Sequence, residues 1–171
     1  MLLAHIVPGY FAARLTHSLW DEGWTKQQRT GLWIAAITST IAPDADVVYN
    51  SLFRGFTNHS VLWTHSLFPH FVIAILWLIM PNGKRWSYLR TLVMLVAIGG
   101  VSHLVLDVIV HGTPLVYPFS SYMVGWPPQQ VIDGGLWGYL THPIFLLEPL
   151  LLSAAAIDCS RNRQLRKRMP R

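Results

Sequence analysis

From Gly100 to Pro114 the chain reads Gly-Val-Ser-His-Leu-Val-Leu-Asp-Val-Ile-Val-His-Gly-Thr-Pro, which sets His103, Asp107 and His111 at four-residue intervals in an otherwise apolar run. On a helix that spacing projects all three side chains from one face, within an arc of roughly 80°. The residues between them are Leu, Val and Ile, surroundings in which imidazole and carboxylate are costly unless paired or bound to a metal. A chain carrying this stripe must bring partners to it from elsewhere in the sequence, and that demand constrains the fold more than any other feature.

Hydrophobic residues make up 52% of the 171 residues and charged residues 12%, which is about half the charged share of a soluble protein. That balance points to a membrane protein, and the length suits one domain. The formal net charge of +5 is not spread out, because Arg161, Arg163, Arg166, Lys167, Arg168 and Arg171 gather at the C-terminus. Next to an apolar segment such a tail faces the cytoplasm and anionic headgroups rather than nucleic acid. We therefore expect a membrane-embedded helical metal-site domain over residues 1–160 and a basic cytoplasmic tail over 161–171. Membrane lipid is the expected partner, and no nucleic acid is. Cys159 is the sole cysteine, which excludes an intrachain disulfide and any multi-cysteine metal site. The first residues lack a basic n-region and a clear cleavage site, so no removable signal peptide is expected.

Apolar runs fall at about 1–20, 31–42, 65–80, 91–110 and 137–157. Pro8 and Gly9 suggest a bent or short first helix. The second run spans only if it draws the preceding polar stretch into its helix; otherwise it enters part way. The expected class is all-α, a polytopic membrane bundle of four or five apolar helices. Connections 21–30 and 81–90 and the tail together carry eleven Lys and Arg, whereas 43–63 and 112–136 carry only Arg54. Retained positive charge marks the cytoplasmic side. This alternation predicts a multi-pass inner-membrane protein with a cytoplasmic C-terminus. Seven of the eight histidines then share the non-cytoplasmic level with Asp44, Asp46 and Asp107, and His17 alone lies inside.

A borderline cation such as zinc accepts imidazole nitrogen and carboxylate oxygen together, which suits His103 and Asp107; a hydrogen-bonded structural pair is the plain alternative. Asp44 and Asp46 follow Pro43, with His59 and His65 about twenty residues further on. Carboxylates beside histidines in low dielectric repel one another unless a cation neutralises them, although Asp-rich turns and helix caps read the same way. Arg54 could clamp a phosphate or a substrate carboxylate, or pair with Asp44 or Asp46. His70 and His111 serve as further ligands or as polar tips at the membrane interface, and His142 as a ligand or a helix cap. Glu148, placed inside the last apolar run, is a candidate acid/base or additional ligand. Trp63, Trp86, Trp126 and Trp137 lie near span ends and fit interfacial belts.

Taken in order, Ala42-Pro-Asp-Ala-Asp46, His59-Ser-Val-Leu-Trp-Thr-His-Ser66, Ser102-His-Leu-Val-Leu-Asp107 and Gly112-Thr-Pro-Leu-Val-Tyr-Pro-Phe119 resemble the serial motifs of the membrane-bound metal-dependent hydrolases, also described as LexA-binding, inner-membrane-associated hydrolases. That group is distantly similar to zinc-dependent phospholipase C and single-strand nucleases, helical enzymes holding up to three zincs with His and Asp. The resemblance implies that Asp44 or Asp46, His59 or His65, His103 and Asp107 are the core ligands, with His5 in the place of an N-terminal histidine ligand. Two departures stand out. Arg54-Gly55 lies upstream of where the family often reads His-Arg-Gly, and His142 and Glu148 stand six apart where the phospholipase has His and Glu four apart.

The function expected from these residues is a metal-dependent hydrolase using one to three zinc ions on a phosphoester such as a lipid phosphodiester. Asp44 or Asp46 would take the proton from metal-activated water, with Arg54 near the substrate. Metal ligands are expected among Asp44, Asp46, His59, His65, His103, Asp107, His5 and His111. A catalytically inactive, metal-stabilised membrane scaffold is the alternative. A transporter would need a polar path to the inner side, where only Arg14 and His17 are found.

Overall fold

The structure is a computed structural model that describes residues 3–53, 63–110, 112–125 and 143–168. Among these the architecture is all-helical, as expected. The helices are α1 (Ile6–Thr16), α2 (Lys26–Ser39), α3 (Asp46–Phe53), α4 (Leu67–Ile79), α5 (Ser87–Val110) and α6 (Leu147–Arg168), with 3-10 turns at His17–Leu19, Pro43–Ala45, Trp63–His65 and Pro143–Leu146. An isolated antiparallel bridge joins Thr113 to Val124.

Local chemistry sets the helix ends. Thr25 and Gln28 form a reciprocal capping box, Gln28 N donating to Thr25 Oγ1 at 3.2 Å and Thr25 N to Gln28 Oε1 at 2.9 Å, so two otherwise orphaned donors are satisfied before the apolar part of α2 begins. This is how the second apolar run gains length: its helix starts in the polar stretch, at Lys26. The chain leaves α5 through Gly112, whose φ of 76° belongs to the left-handed region that glycine tolerates. Its N–H donates to the Asp107 carbonyl at 2.9 Å. Two boundaries differ from the sequence reading. Asp46 opens a helix, α3, where a connection was expected, and the last helix begins at Leu147 and runs through the basic residues to Arg168. Up to that residue the expected tail is therefore a continuation of α6, because an uninterrupted run without Gly or Pro gives the helix no reason to stop.

Side-chain contacts fix the direction of each helix. Leu3 N donates to Glu148 Oε1 at 2.5 Å and Tyr10 Oη to Asp158 Oδ2 at 2.8 Å, so α1 and α6 run parallel. Ser39 reaches the Leu95 carbonyl at 3.4 Å and the Thr40 carbonyl meets His103 at 2.8 Å, so α2 and α5 also run parallel. Gly9 packs so closely on α2 that a Cβ there would lie 2.2 Å from the Ala36 carbonyl oxygen, while His5 meets Asp44 further on, making α1 and α2 antiparallel. His70 lies against Gly100, and Arg90 stacks over Trp77 at 4.7 Å, making α4 and α5 antiparallel. Small residues at the crossings allow this close approach. The bundle is consequently polar. Arg14, Lys26, Arg29 and Arg90 lie toward one end, and His5, Asp44, His65, His103 and Asp107 toward the other. The apolar core of Ala12, Ala13, Trp20, Leu32, Ala36 and Leu95 lies toward the basic end.

Helix α5 buries Leu95, Gly99, His103 and Asp107 on one face and exposes Ile98, Val101, Val105 and Ile109 on the other. Its 24 residues extend about 36 Å, enough to cross a bilayer. Among the described residues it is the one helix long and apolar enough to do so, where the sequence reading expected four or five; α4 is apolar but has only 13 residues. At the polar end α1 begins after His5, α4 begins after Ser66 and α2 ends at Thr40.

Candidate metal centre

Five side chains converge at that end from four places in the sequence. His5 precedes α1, Asp44 lies in the 3-10 turn after α2, His65 closes the turn before α4, and His103 and Asp107 stand one helical turn apart on α5. His5, His65, His103 and Asp107 are at most 1% exposed, whereas the Asp44 side chain is 35% exposed. Of the five, Asp44 is the one that reaches the surface.

Each carboxylate is reached by all three imidazoles. Asp107 Oδ2 lies 3.1 Å from His103 Nε2 and 3.6 Å from His65 Nε2, and its Oδ1 lies 3.3 Å from His5 Nε2. Asp44 Oδ1 lies 3.5 Å from His65 Nε2 and 3.7 Å from His103 Nε2, and its Oδ2 lies 3.6 Å from His5 Nδ1. Four donors bonded tetrahedrally to zinc at 2.0–2.1 Å stand about 3.3 Å apart. The spacing among His65, His103, Asp44 and Asp107 brackets that figure. Two overlapping groups, His5 with His103 and Asp107, and Asp44 with His65 and His103, have donor atoms within 4.8 Å of one another and could hold a metal ion. Both use His103, whose single inward nitrogen is Nε2, so they describe one centre.

The ring orientations are set from behind. His103 Nδ1–H donates to the Thr40 carbonyl at 2.8 Å, and His65 Nδ1–H donates to Asp46 Oδ2 at 3.1 Å. The outer nitrogen of each ring being the protonated one, Nε2 is left as a lone-pair donor facing the carboxylates, the tautomer that metal ligation requires. Thr64 strengthens this arrangement, its hydroxyl donating to the Asp46 carboxylate. Thr113 Oγ1 donates to the His65 carbonyl at 2.6 Å, and Leu67 N to the Leu115 carbonyl at 2.9 Å, so the segment after α5 clamps the turn that carries His65. His5 stacks on His103 with ring centroids 4.3 Å apart.

The donor set fits an ion on chemical grounds. His103 Nε2 and both nitrogens of His5 are buried with no hydrogen-bond partner among the described residues, and buried polar atoms are seldom left so. Burial by itself would raise the Asp44 carboxyl, but in the absence of an ion, when the rings carry a second proton, the hydrogen bond from His65 and the charges of His103 and His5 outweigh it and hold Asp44 below its ordinary value.

Of the residues singled out by sequence, His5, Asp44, His65, His103 and Asp107 are brought together. Asp46 is not in either donor group; its Oδ2 stands behind His65, in a position that orients the ring. Successive residues of a tight turn point apart, which is why two aspartates so close in sequence part company. Arg54, His59, His111 and His142 lie outside the described residues. Glu148 is the second residue of α6 and accepts from the Leu3 backbone N–H, two residues before His5; it is in neither donor group. His70 is buried on α4, its Nε2–H donating to the Thr64 carbonyl at 3.3 Å. His17 packs on Trp20 at 4.8 Å, toward the opposite end. Thr40 went unremarked in the sequence, since a main-chain carbonyl leaves no signature there. Thr64 and Thr113 sit beside or within the quoted motifs and could have been found from that adjacency.

Fold and centre together define, among the described residues, an all-helical protein with one membrane-length helix and a buried His/Asp cluster able to take a metal ion. The model of the YdjM inner membrane protein family matches residues 1–164, and the chain belongs to that family. No curated protein and no solved structure matches it.

Proposed function

We propose that this protein is a membrane-embedded, zinc-dependent hydrolase acting on a phosphoester, specifically a lipid phosphodiester. The observation that carries the reading is the approach of the His65 and His103 imidazoles to the Asp107 and Asp44 carboxylates, at 3.1 to 3.7 Å, with Asp44 partly exposed. His65, His103 and Asp107 would hold the ion, and His5 would support Asp107 and Asp44. When bound, the ion supplies Lewis acidity, polarising a phosphoryl oxygen and bringing the pKa of water toward neutrality. Asp44, at the exposed corner and held ionised, accepts the proton given up there. Asp46 and the Thr40 carbonyl keep the two imidazoles in the right tautomer.

The same reading places the protein across the membrane several times, with the site toward the non-cytoplasmic side and the C-terminus in the cytoplasm. What supports it is the shared end occupied by Arg14, Lys26, Arg29 and Arg90. The exposed Phe68, Phe71, Val72, Ile75 and Ile79 of α4 support it too, since an apolar face of this extent is rare in contact with water. From Arg90 to His103 the helix rises about 20 Å, which sets the centre inside the outer part of a hydrocarbon layer of roughly 30 Å.

A second reading has an observation of its own. Four protein donors at tetrahedral spacing make a closed shell, as structural zinc sites do, and a scaffold would use Asp44 as the fourth ligand. Zinc content and hydrolysis of bis-p-nitrophenyl phosphate and phospholipid, measured on Asp44→Asn, separate the two. The hydrolase keeps its zinc and loses turnover. Loss of zinc with Asp44→Asn, and a wild type inert on every phosphodiester, would establish the scaffold instead.

A further inference from the structure

A cavity of about 170 Å³ adjoins the metal centre, bounded by the end of α2, the turn before α4, and α4 and α5. Two of its walls continue directly into the centre: Pro43 precedes Asp44, and Thr64 precedes His65. Ala42, Trp63, Ile73 and Val96 give it an apolar lining. Its polar wall residues spend their hydrogens elsewhere. Ser39 Oγ donates to the Ala36 carbonyl at 3.1 Å, the Thr64 hydroxyl to Asp46, and His70 Nε2–H to the Thr64 carbonyl at 3.3 Å. The remaining nitrogen of His70 is buried against Gly100. Water entering such a space finds few of the two to four partners it needs, and apolar cavities of roughly 150 Å³ take up hydrocarbon instead. Trp63, 57% exposed, stands on its wall.

We propose that this cavity is a subsite for a hydrocarbon chain of the substrate, holding the chain nearest the phosphoester while the phosphoryl group lies at the His/Asp centre. The assignment rests on the hydrolase reading and narrows it to substrates with an alkyl or acyl group within a few bonds of the phosphorus. The helix α4 that forms one wall exposes Phe68, Phe71, Val72 and Ile75, so substrate arrives from the bilayer and not from water.

The test uses the full-length, zinc-loaded protein in nanodiscs. Methylphosphonate and hexylphosphonate are titrated by calorimetry, and p-nitrophenyl alkyl phosphodiesters from methyl to octyl are followed for turnover. The cavity is filled separately from two helices by Ile73→Phe and Val96→Phe, each checked for unchanged zinc content. Wild type is expected to bind hexylphosphonate more tightly than methylphosphonate, by roughly fourfold for each methylene the cavity takes. Either filling variant should erase that gain and leave methylphosphonate binding as it was. An equal chain-length gain in wild type and both variants would assign it to the surrounding bilayer and overturn the subsite, as would no gain at all. Chain-dependent binding without turnover would keep the subsite and remove the hydrolase; turnover blind to chain length would do the reverse.

Discussion

Replacing Asp46 with alanine removes the acceptor behind His65 and touches nothing in the ring of donors in front of it. In the wild type Asp46 Oδ2 takes the His65 Nδ1 proton at 3.1 Å. After the change that nitrogen keeps only the Thr64 hydroxyl, at 3.2 Å, whose own proton has lost its carboxylate. The imidazole can then turn, and its Nε2 competes between protonated and unprotonated forms. Loss of such an outer partner costs about 10- to 100-fold in metal affinity, or about 1.4 to 2.7 kcal/mol. Asp46 also opens α3, where a carboxylate is worth about 0.3–1 kcal/mol to the helix, so a small loss of stability without metal accompanies the loss of affinity. Competition of zinc against a fluorescent chelator, run alongside thermal melting of the metal-free protein, separates the two effects. His65→Ala in the same assay should abolish binding, and Asp46→Asn, which can still accept from Nδ1, should fall close to wild type. If Asp46→Ala bound zinc as tightly as wild type, the orienting argument would be wrong. If it bound none, Asp46 would be a ligand after all.

Three further outcomes follow from the geometry. Gly100→Ala would put a Cβ 2.1 Å from His70 Nδ1, so α4 and α5 must part; a destabilisation of about 1–3 kcal/mol is expected in chemical unfolding, and a neutral result would show that the crossing is looser than described. Asp44 is held below its ordinary value near 3.8, so its stabilising contribution is complete above that value and fades as pH falls through the lowered one; the difference in urea midpoint between wild type and Asp44→Asn, both free of metal, should be steady at neutral pH and shrink at the acid end. Chelation should lower the melting temperature by an amount that grows with the free zinc removed, and His103→Ala should abolish that dependence.

Helix α5 was legible because a four-residue period of polar groups in an apolar run has one regular solution, and the same period told which face would be buried. The place of His5 was not visible from spacing, since it lies far from Asp107 in sequence; the charge alternation put it at the right level and the resemblance pointed to its role. Between Asp44 and Asp46 the sequence could not choose, since the turn that separates their directions depends on how α2 ends. Among the described residues fewer helices reach membrane length than the apolar runs suggested, because α1, α2 and α4 are 11, 14 and 13 residues long. Glu148 was set too deep in its helix for a related reason: the apolar run around it extends past the place where α6 starts. The hydrogen bond from the His103 ring ends on the main-chain carbonyl of Thr40, and no residue type announces such an acceptor.

The donors are unevenly distributed in time as well as in space. A ribosome delivers His5, Asp44 and His65 well before His103 and Asp107, and the clamp formed by Thr113 comes later still. On the zinc-dependent reading proposed above, the nascent chain has an incomplete set of ligands in its early segments, and capture of an ion would wait for the arrival of α5. Biogenesis of this protein should accordingly separate into an insertion phase indifferent to zinc supply and a late maturation phase that depends on it.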